Sequence, residues 1–538
     1  MSLDSAPVIV VGGGPSGLAA AMELAHHGVG VIVVEPRTEV THTRPRAKTT
    51  NARTLELFRR WPGVNPRIRE RAPLKVEWSK DVVFCTTLTG REITRIGNVF
   101  GLALDEDTSP ETGQQIPQPI LEEVLREALA GSPRVRLMFA WRATAVQQGS
   151  DGARVMVESD AGEVAVLEAA YVIGADGPRS VVRSALGAKF EGASLARPNI
   201  SVTFDAPGLE DLVPMGDAVQ YWVLNPASPG ILGRLDLRGR WWAINTAGAD
   251  AAAIAEADPE AAVHSLLGVN YPIDVVAVDP WVVRVLVADR YRNNRLFIAG
   301  DAAHMNPPWG GHGFNTGVGD AVNLGWKIAA VLNGWAPDEL LDSYESERRP
   351  IAQQFVADAA ENGKTGPTQL ASDEIMGDQQ TFDRVRGAAA AAIEETKRIE
   401  FRSEGLVLGV GYGPESAAQS SDGTDFVPIA AVGNRLPHRR LLDGTSLYDL
   451  LGPELTLIGG SEDAEELMRD AAARHIPLTL LDVPGEGLQD FFSSRLVLVR
   501  PDQHIAWVGD DAPSALAGQI LDDARRGVQT ARIIPTMK

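Results

Sequence analysis

Cysteine is nearly missing from this chain: Cys85 is the only one in 538 residues. No internal disulfide and no CxxC redox pair can form. Long apolar runs are missing too. No uninterrupted stretch reaches the length of a bilayer span, and the opening MSLDSAPVIVV carries neither the basic start nor the cleavage site of a secretory leader. Positive charge is in short supply, with 50 Lys and Arg against 71 Asp and Glu, a formal net charge of -21 and a pI near 4.9. Such a surface repels the phosphates of nucleic acid and disfavours lasting contact with anionic membranes. The expectation is a soluble, cytoplasmic protein of ordinary globular composition, long enough for two to four domains.

Glycine is plentiful and unevenly placed. Pro7 to Val11 is a short apolar strand of the kind buried in a parallel sheet. It runs into Gly12-Gly13-Gly14-Pro15-Ser16-Gly17, a GxGxxG turn, followed by a helical stretch (Leu18 to His27) and a second apolar strand, Val29 to Val34, ending at Glu35. Gly12 permits the tight turn, Gly14 lets backbone approach a pyrophosphate, and Gly17 lets helix and strand pack closely. The helix N-terminus offers free N–H groups to phosphates. Glu35 stands where an acid accepts ribose hydroxyls. This unit reads as a dinucleotide site, with NAD and FAD both open.

Two more segments share this strand-then-turn character. Tyr171 to Gly174 leads into Ala175-Asp176-Gly177-Pro178, with Arg179 and Arg183 one helical turn apart; alone, it reads equally well as a charged turn closing a sheet. Near residue 300 stands "GDAAHMNPPWGGHGFNTGVGDA", with Asp301 after an apolar run and glycines and prolines around Trp309 and Phe314.

The GxGxxG turn, then GADGPRSVVR, then RLFIAGDAAHMNPPWGGHGFNTGVGDAVNLGWKIAAVL, in that order, resemble the FAD-dependent aromatic hydroxylases of the para-hydroxybenzoate hydroxylase superfamily, the class A flavoprotein monooxygenases. The resemblance implies FAD bound in an extended form, its ADP half on the first cradle and its ribityl chain and isoalloxazine on the second. Asp301 would then bond ribityl hydroxyls, and Pro307 and Pro308 would wall the ring. Gly310, Gly311 and Gly313 would let backbone approach it, and Phe314 and Asn315 would open a helix facing it. His312 replaces a glutamine common in the family and is carried over as a backbone contact, its imidazole's role left open, with a packing or solvent-facing side chain preferred over a catalytic one. Arg44 and Arg46 lie on the loop past which the flavin swings in the family. Arg46 is the better match, with Arg44 open to being surface charge. Gln118 resembles a flavin-facing glutamine.

Between about Ser194 and Arg284 the chain reads as alternating strands, resembling the family's substrate sheet. Tyr221, Trp222, Arg234, Trp241, Trp242 and Asn245 are candidate substrate contacts, with Pro308 from the flavin loop. Half of the strand positions should point away, since neighbours alternate faces. The tail resembles the thioredoxin-like domain of phenol hydroxylase-type members, without its cysteines.

The fold expected is α/β: a Rossmann-like FAD-binding domain (1–80, 100–193 and 285–350) with an inserted β-sheet substrate domain (81–99 and 194–284). A helical segment (351–410), a linker (411–425) and a thioredoxin-like domain (426–538) follow. The activity implied is hydroxylation of a phenol through a C4a-hydroperoxyflavin, with NADH or NADPH as transient co-substrate and O2. The alternative is a tailoring oxygenase of an aromatic polyketide or other natural product, hydroxylating or, less often, inserting oxygen by Baeyer–Villiger chemistry. A flavin halogenase is disfavoured by the absence of GWxWxIP, and a flavin-binding sensor without turnover stands as the non-enzymatic contrast. A small aromatic substrate, no metal and a homodimer or higher homo-oligomer are expected. No residue is identifiable as the catalytic base.

Overall fold

Val8–Val11 lies at the middle of a six-stranded sheet and is buried along its whole length. The computed structural model describes residues 6–246, 253, 256–413 and 423–527. Across this sheet the strands run Arg292–Asn293, Leu296–Ile298, Tyr171–Gly174, Val8–Val11, Val31–Glu35, Val135–Phe139. Every pairing is parallel except at the Arg292–Asn293 edge. Strands covered on both faces read as unbroken apolar runs, as VIVV, VIVVE and YVIG do. Parallel pairing also brings the turns after Val11, Gly174 and Ile298 to one edge. The three glycine-bearing motifs therefore meet at the carboxyl ends of the strands, where open α/β sheets bind ligands.

Helix Pro15–His26 covers this sheet and packs along helix Gly313–Leu332. The long helix is buried at 15 of its 20 residues, consistent with an internal strut.

The second sheet has eight strands, in the order His304–Met305, Asp274–Ala288, Phe190–Asp205, Arg240–Asn245, Gly230–Arg234, Gln220–Val223, Val82–Cys85, Glu92–Ile96. Its two faces pack against different partners. Val83, Cys85, Tyr221, Leu232, Trp241 and Phe204 form one face, against helix Pro259–Leu267. Val82, Phe84, Trp222, Ile231 and Trp242 form the other, against helix Gln379–Phe401 and Trp309. The helix Pro259–Leu267 interrupts the run of strands expected there; the Asp258 side chain caps it by accepting from Ala261 N–H.

The tail forms a four-stranded sheet, Leu478–Leu481, Leu455–Gly459, Leu496–Val499, Ile505–Gly509. Helices Ser461–Ala473 and Ser514–Ala524 share a core with Trp326 and Trp335 from the flank of the long helix. Its loop at residues 500–504 enters the rest of the protein and is buried. Residues 414–422 of the expected linker lie outside the described residues. No described helix is long and apolar enough to cross a membrane.

Candidate active site

Each glycine of the first cradle has a distinct surrounding. Gly12 has φ +107°, and a Cβ there would sit 2.2 Å from the Ala175 carbonyl oxygen; one on Gly17 would sit 1.9 Å from that of Gly12. A Cβ on Gly14 would meet nothing within 4 Å. Gly12 and Gly17 thus allow close packing, and Gly14 bares its backbone to a ligand. Pro15 opens the helix, where its missing N–H costs nothing.

Glu35 closes the far side of this cradle. Its carboxylate accepts from Gly13 N–H (2.7 Å) and from Arg37 N–H (2.9 Å) and Nε–H (2.7 Å). Burial works to raise its pKa, yet Arg37 and the Gly13 N–H hold it below the usual value. Arg37 also meets Glu122 at 3.2 Å, and Gln118 Nε2 donates to Glu122 at 2.8 Å. One face of the helix Gln118–Ala130 continues this chain to Arg126, which sequence reading passed over. Arg126 is buried over the Phe139 ring, and its Nε and Nη2 have no partner among the described residues. The spacing 118, 122, 126 was the signal available.

The two cradles meet at Ser16. A Cβ on Gly300 (φ +59°) would lie 2.4 Å from Ser16 Oγ, and one on Gly317 2.3 Å from the same atom. Asp301 follows with an exposed side chain at the mouth of this junction. The surrounding protein raises its pKa, opposed by the positive charges of His304 and Arg46, so Arg46 (φ +48°) faces the same space. Asp176 Oδ2 accepts from Val181 N–H at 2.7 Å, while its buried Oδ1 has no partner. Arg179 is exposed, and Arg183 is spent on the carbonyls of Ala302 and Pro178.

In the second cradle Gly310 and Gly311 adopt φ of +78° and +68°. Gly313 and Phe314 are half-buried and Pro308 is exposed. The Asn315 amide accepts from Asn51 N–H and Thr54 Oγ–H and donates to the carbonyls of Thr49 and Gly311. That side chain is consumed in tying the helix start to segment 49–54, leaving its backbone for a ligand. His312 packs on Phe355 at 4.9 Å between ring centres, and burial pushes its pKa down to about 4, a neutral packing imidazole.

The sheet sorts the substrate candidates. Trp222 and Trp242 lie on the face toward the flavin loop, although Phe401 covers Trp222 (5.6 Å between ring centres). Tyr221, Arg234, Trp241 and Asn245 must be corrected. Tyr221 and Trp241 pack in the opposite core, and strand alternation puts Arg234 and Asn245 on that side too. Arg234 reaches outward to Glu210 at 3.3 Å. Arg44, half-exposed, pairs with Asp279 at 3.3 Å on the edge of the sheet. Lys48, which sequence reading passed over, holds its Nζ 4.1 Å from the Trp242 ring centre.

A bare Gly14, two unanswered Arg126 nitrogens, an unanswered Asp176 oxygen and an exposed Asp301 fit one long ligand with a diphosphate and many hydroxyls. FAD has that chemistry. Among the described residues no group of three or more His, Cys, Asp or Glu is placed to hold a metal ion.

Residues 5–359 match the family model described as "FAD binding domain", and residues 430–528 that described as "Aromatic-ring hydroxylase, C-terminal". The chain is 34% identical to tetracenomycin B2 monooxygenase-dioxygenase of Streptomyces olivaceus, covering 96% of this chain and 98% of that one. It is 29% identical to 2,4-dichlorophenol 6-monooxygenase of Cupriavidus pinatubonensis, over 96% of each. The structure of the rebeccamycin biosynthetic enzyme RebC with reduced flavin superposes with a TM-score of 0.88, at 32% identity, covering 97% of this chain and 100% of that one.

Proposed function

The chain belongs to the FAD-dependent aromatic-ring hydroxylases, and on that premise we propose that it hydroxylates a phenolic ring using NADH or NADPH and O2. It is an FAD-dependent monooxygenase of aromatic compounds. The observation that carries the flavin part of this reading is the junction at Ser16, where Gly300 and Gly317 would bring the flavin end of the site against the phosphate end.

Bound FAD, once reduced, supplies with O2 the electrophilic oxygen that the ring receives. The residues of this chain do the rest. Gly14 and the helix start at Pro15 would hold the diphosphate, and Glu35 with Arg126 the adenosine end. Asp301 and Arg46 would meet the ribityl chain, and Asp176 would add an acceptor. The first turn of helix Gly313–Leu332 would aim its free N–H groups at the ring edge where negative charge gathers on reduction. Trp309, stacked close on Gly363, would help exclude water.

A second reading, tailoring of a multi-ring natural product, is favoured by relatives named for tetracenomycin and rebeccamycin; both readings share the residues above. The parallel sheet supports a Rossmann-like cofactor domain over 1–80, 100–193 and 285–350, with 81–99 and 194–284 as the substrate sheet. The tail supports a thioredoxin-like module from 426 onward that holds no cysteine. A cytoplasmic homodimer or higher homo-oligomer completes the reading.

The test is anaerobic flavin reduction by NADH and NADPH, with phenols running from one ring to several. Acceleration by one of them supports the reading, and its ring count chooses between the two roles. Bound flavin whose reduction no phenol accelerates would sink it.

A further inference from the structure

The site-facing side of the eight-stranded sheet carries one lysine that no acid answers. Lys48 is half-buried, its Nζ sits 4.1 Å from the Trp242 ring centre, and among the described residues no carboxylate pairs with it. The acids of this part of the molecule are paired with other cations. Asp279, on the same face, pairs with Arg44 at 3.3 Å. Glu400 pairs with Lys397 at 2.7 Å and accepts from Gly310 N–H.

An ordinary lysine at such a place extends its head into water. A partly dried ammonium costs free energy that an aromatic face repays only in part. Burial accordingly lowers the basicity of Lys48 to about 8, with no neighbouring charge contributing. Segment 44–50 brings it onto the Trp242 face of the sheet, and Trp309 of the flavin loop packs against the same apolar cluster as Trp242. A cation beside a flat aromatic wall is the complement of a flat aromatic anion.

We propose that Lys48 is the catalytic residue that receives the phenolate oxygen of the substrate, with Trp242 the wall along which its ring lies. This rests on the phenol hydroxylase reading and narrows the substrate to phenols acidic enough to bind as anions. In the step, the phenol O–H bond breaks and its proton passes to the neutral Lys48 amine, leaving an ammonium–phenolate pair. Where Lys48 is already protonated, the phenol proton leaves to solvent and the same pair results. The bound phenolate pushes electron density onto its ortho and para carbons, which makes them the nucleophilic positions.

The experiment uses the FAD-loaded protein with two probes, 4-nitrophenol and 1,2-dihydroxyanthraquinone, whose anions have absorption bands of their own. With wild type, the anion band should appear at a pH where the free probe is still neutral. Lys48→Met should hold FAD normally yet raise the apparent pKa of the bound probe by about one unit, roughly tenfold in anion binding. Lys48→Arg, which keeps the charge, should restore the band. If Lys48→Met keeps its FAD and gives the wild-type band with the wild-type pH dependence, the assignment to Lys48 falls alone. If no phenol accelerates wild-type flavin reduction, the hydroxylase reading falls and takes this assignment with it.

Discussion

Glu347 and Arg500, 153 positions apart in the chain, meet in a two-point ion pair with both N–O distances at 2.8 Å and neither side chain reaching solvent. Lys327 from the long helix joins Glu347 at 2.7 Å, and Asp502 joins Arg500 at 2.7 Å. The C-terminal domain is thus bolted by charge to the helix whose other end opens the flavin cradle. Arg500→Met should leave Glu347 and Asp502 short of positive charge and cost about 3–5 kcal/mol. Urea unfolding of the FAD-loaded protein measures it, with early loss of flavin expected.

The same cluster sets an acid limit. Burial alone would raise the Glu347 pKa, but Arg500 and Lys327 outweigh it and hold it at about 2, against an ordinary 4.5. Glu56, facing Arg435 and Arg53, is likewise held at about 2. A folded-state pKa below the unfolded one means stability is fully present above about 4.5 and is lost as pH falls toward 2. Unfolding free energy measured across that window should fall steadily, and Glu347→Gln should flatten part of the slope.

His27 imposes the opposite limit. Burial opposes its charge, but hydrogen bonds to Glu23 (3.1 Å) and to Glu454 of the C-terminal domain (3.0 Å) raise its pKa to about 9. Its contribution is fully present below the ordinary 6.5 and is lost as pH rises through 9. Stability should therefore decline over that range in wild type and less so in His27→Gln.

Gly17→Ala should abolish flavin retention. Its Cβ would lie 1.9 Å from the Gly12 carbonyl oxygen, a backbone atom that cannot yield without moving the first strand. A cost of roughly 4 kcal/mol or more is expected, read as a lower Tm and a colourless preparation.

Tyr221→Phe should separate packing from catalysis. Its hydroxyl donates to the Gly216 carbonyl and accepts from Ala218 N–H, on the face away from the flavin. Losing it should cost about 1 kcal/mol of stability and leave KM for the aromatic substrate unchanged.

The contrast between Gly17 and Tyr221 shows what a sequence discloses. Where a turn leaves room for one residue type only, as at Gly12 and Gly17, the letter itself reports the geometry. Glu35 was legible because an apolar strand ends on it. Adjacent Tyr221 and Trp222 were not separable: which of them faces the flavin loop depends on helices at 259–267 and 379–401 choosing opposite faces. Lys48 lies in a polar stretch with Arg44, Arg46 and Arg53, and nothing in the spacing singles it out. The pairing of Glu347 with Arg500 is a product of tertiary closure, invisible at any sequence window.

The loop at 500–504 places Arg500 against Glu347, the partner of Lys327, and Asp502 as an acceptor for the Asn323 amide. In a growing polypeptide Glu347 follows Lys327 by 20 residues, whereas Arg500 follows Glu347 by 153. The nascent N-terminal two-thirds must hold the Lys327–Glu347 pair without Arg500 and Asp502 until synthesis is almost over. Firm capture of FAD should accordingly be a late event, coming after the last domain has docked.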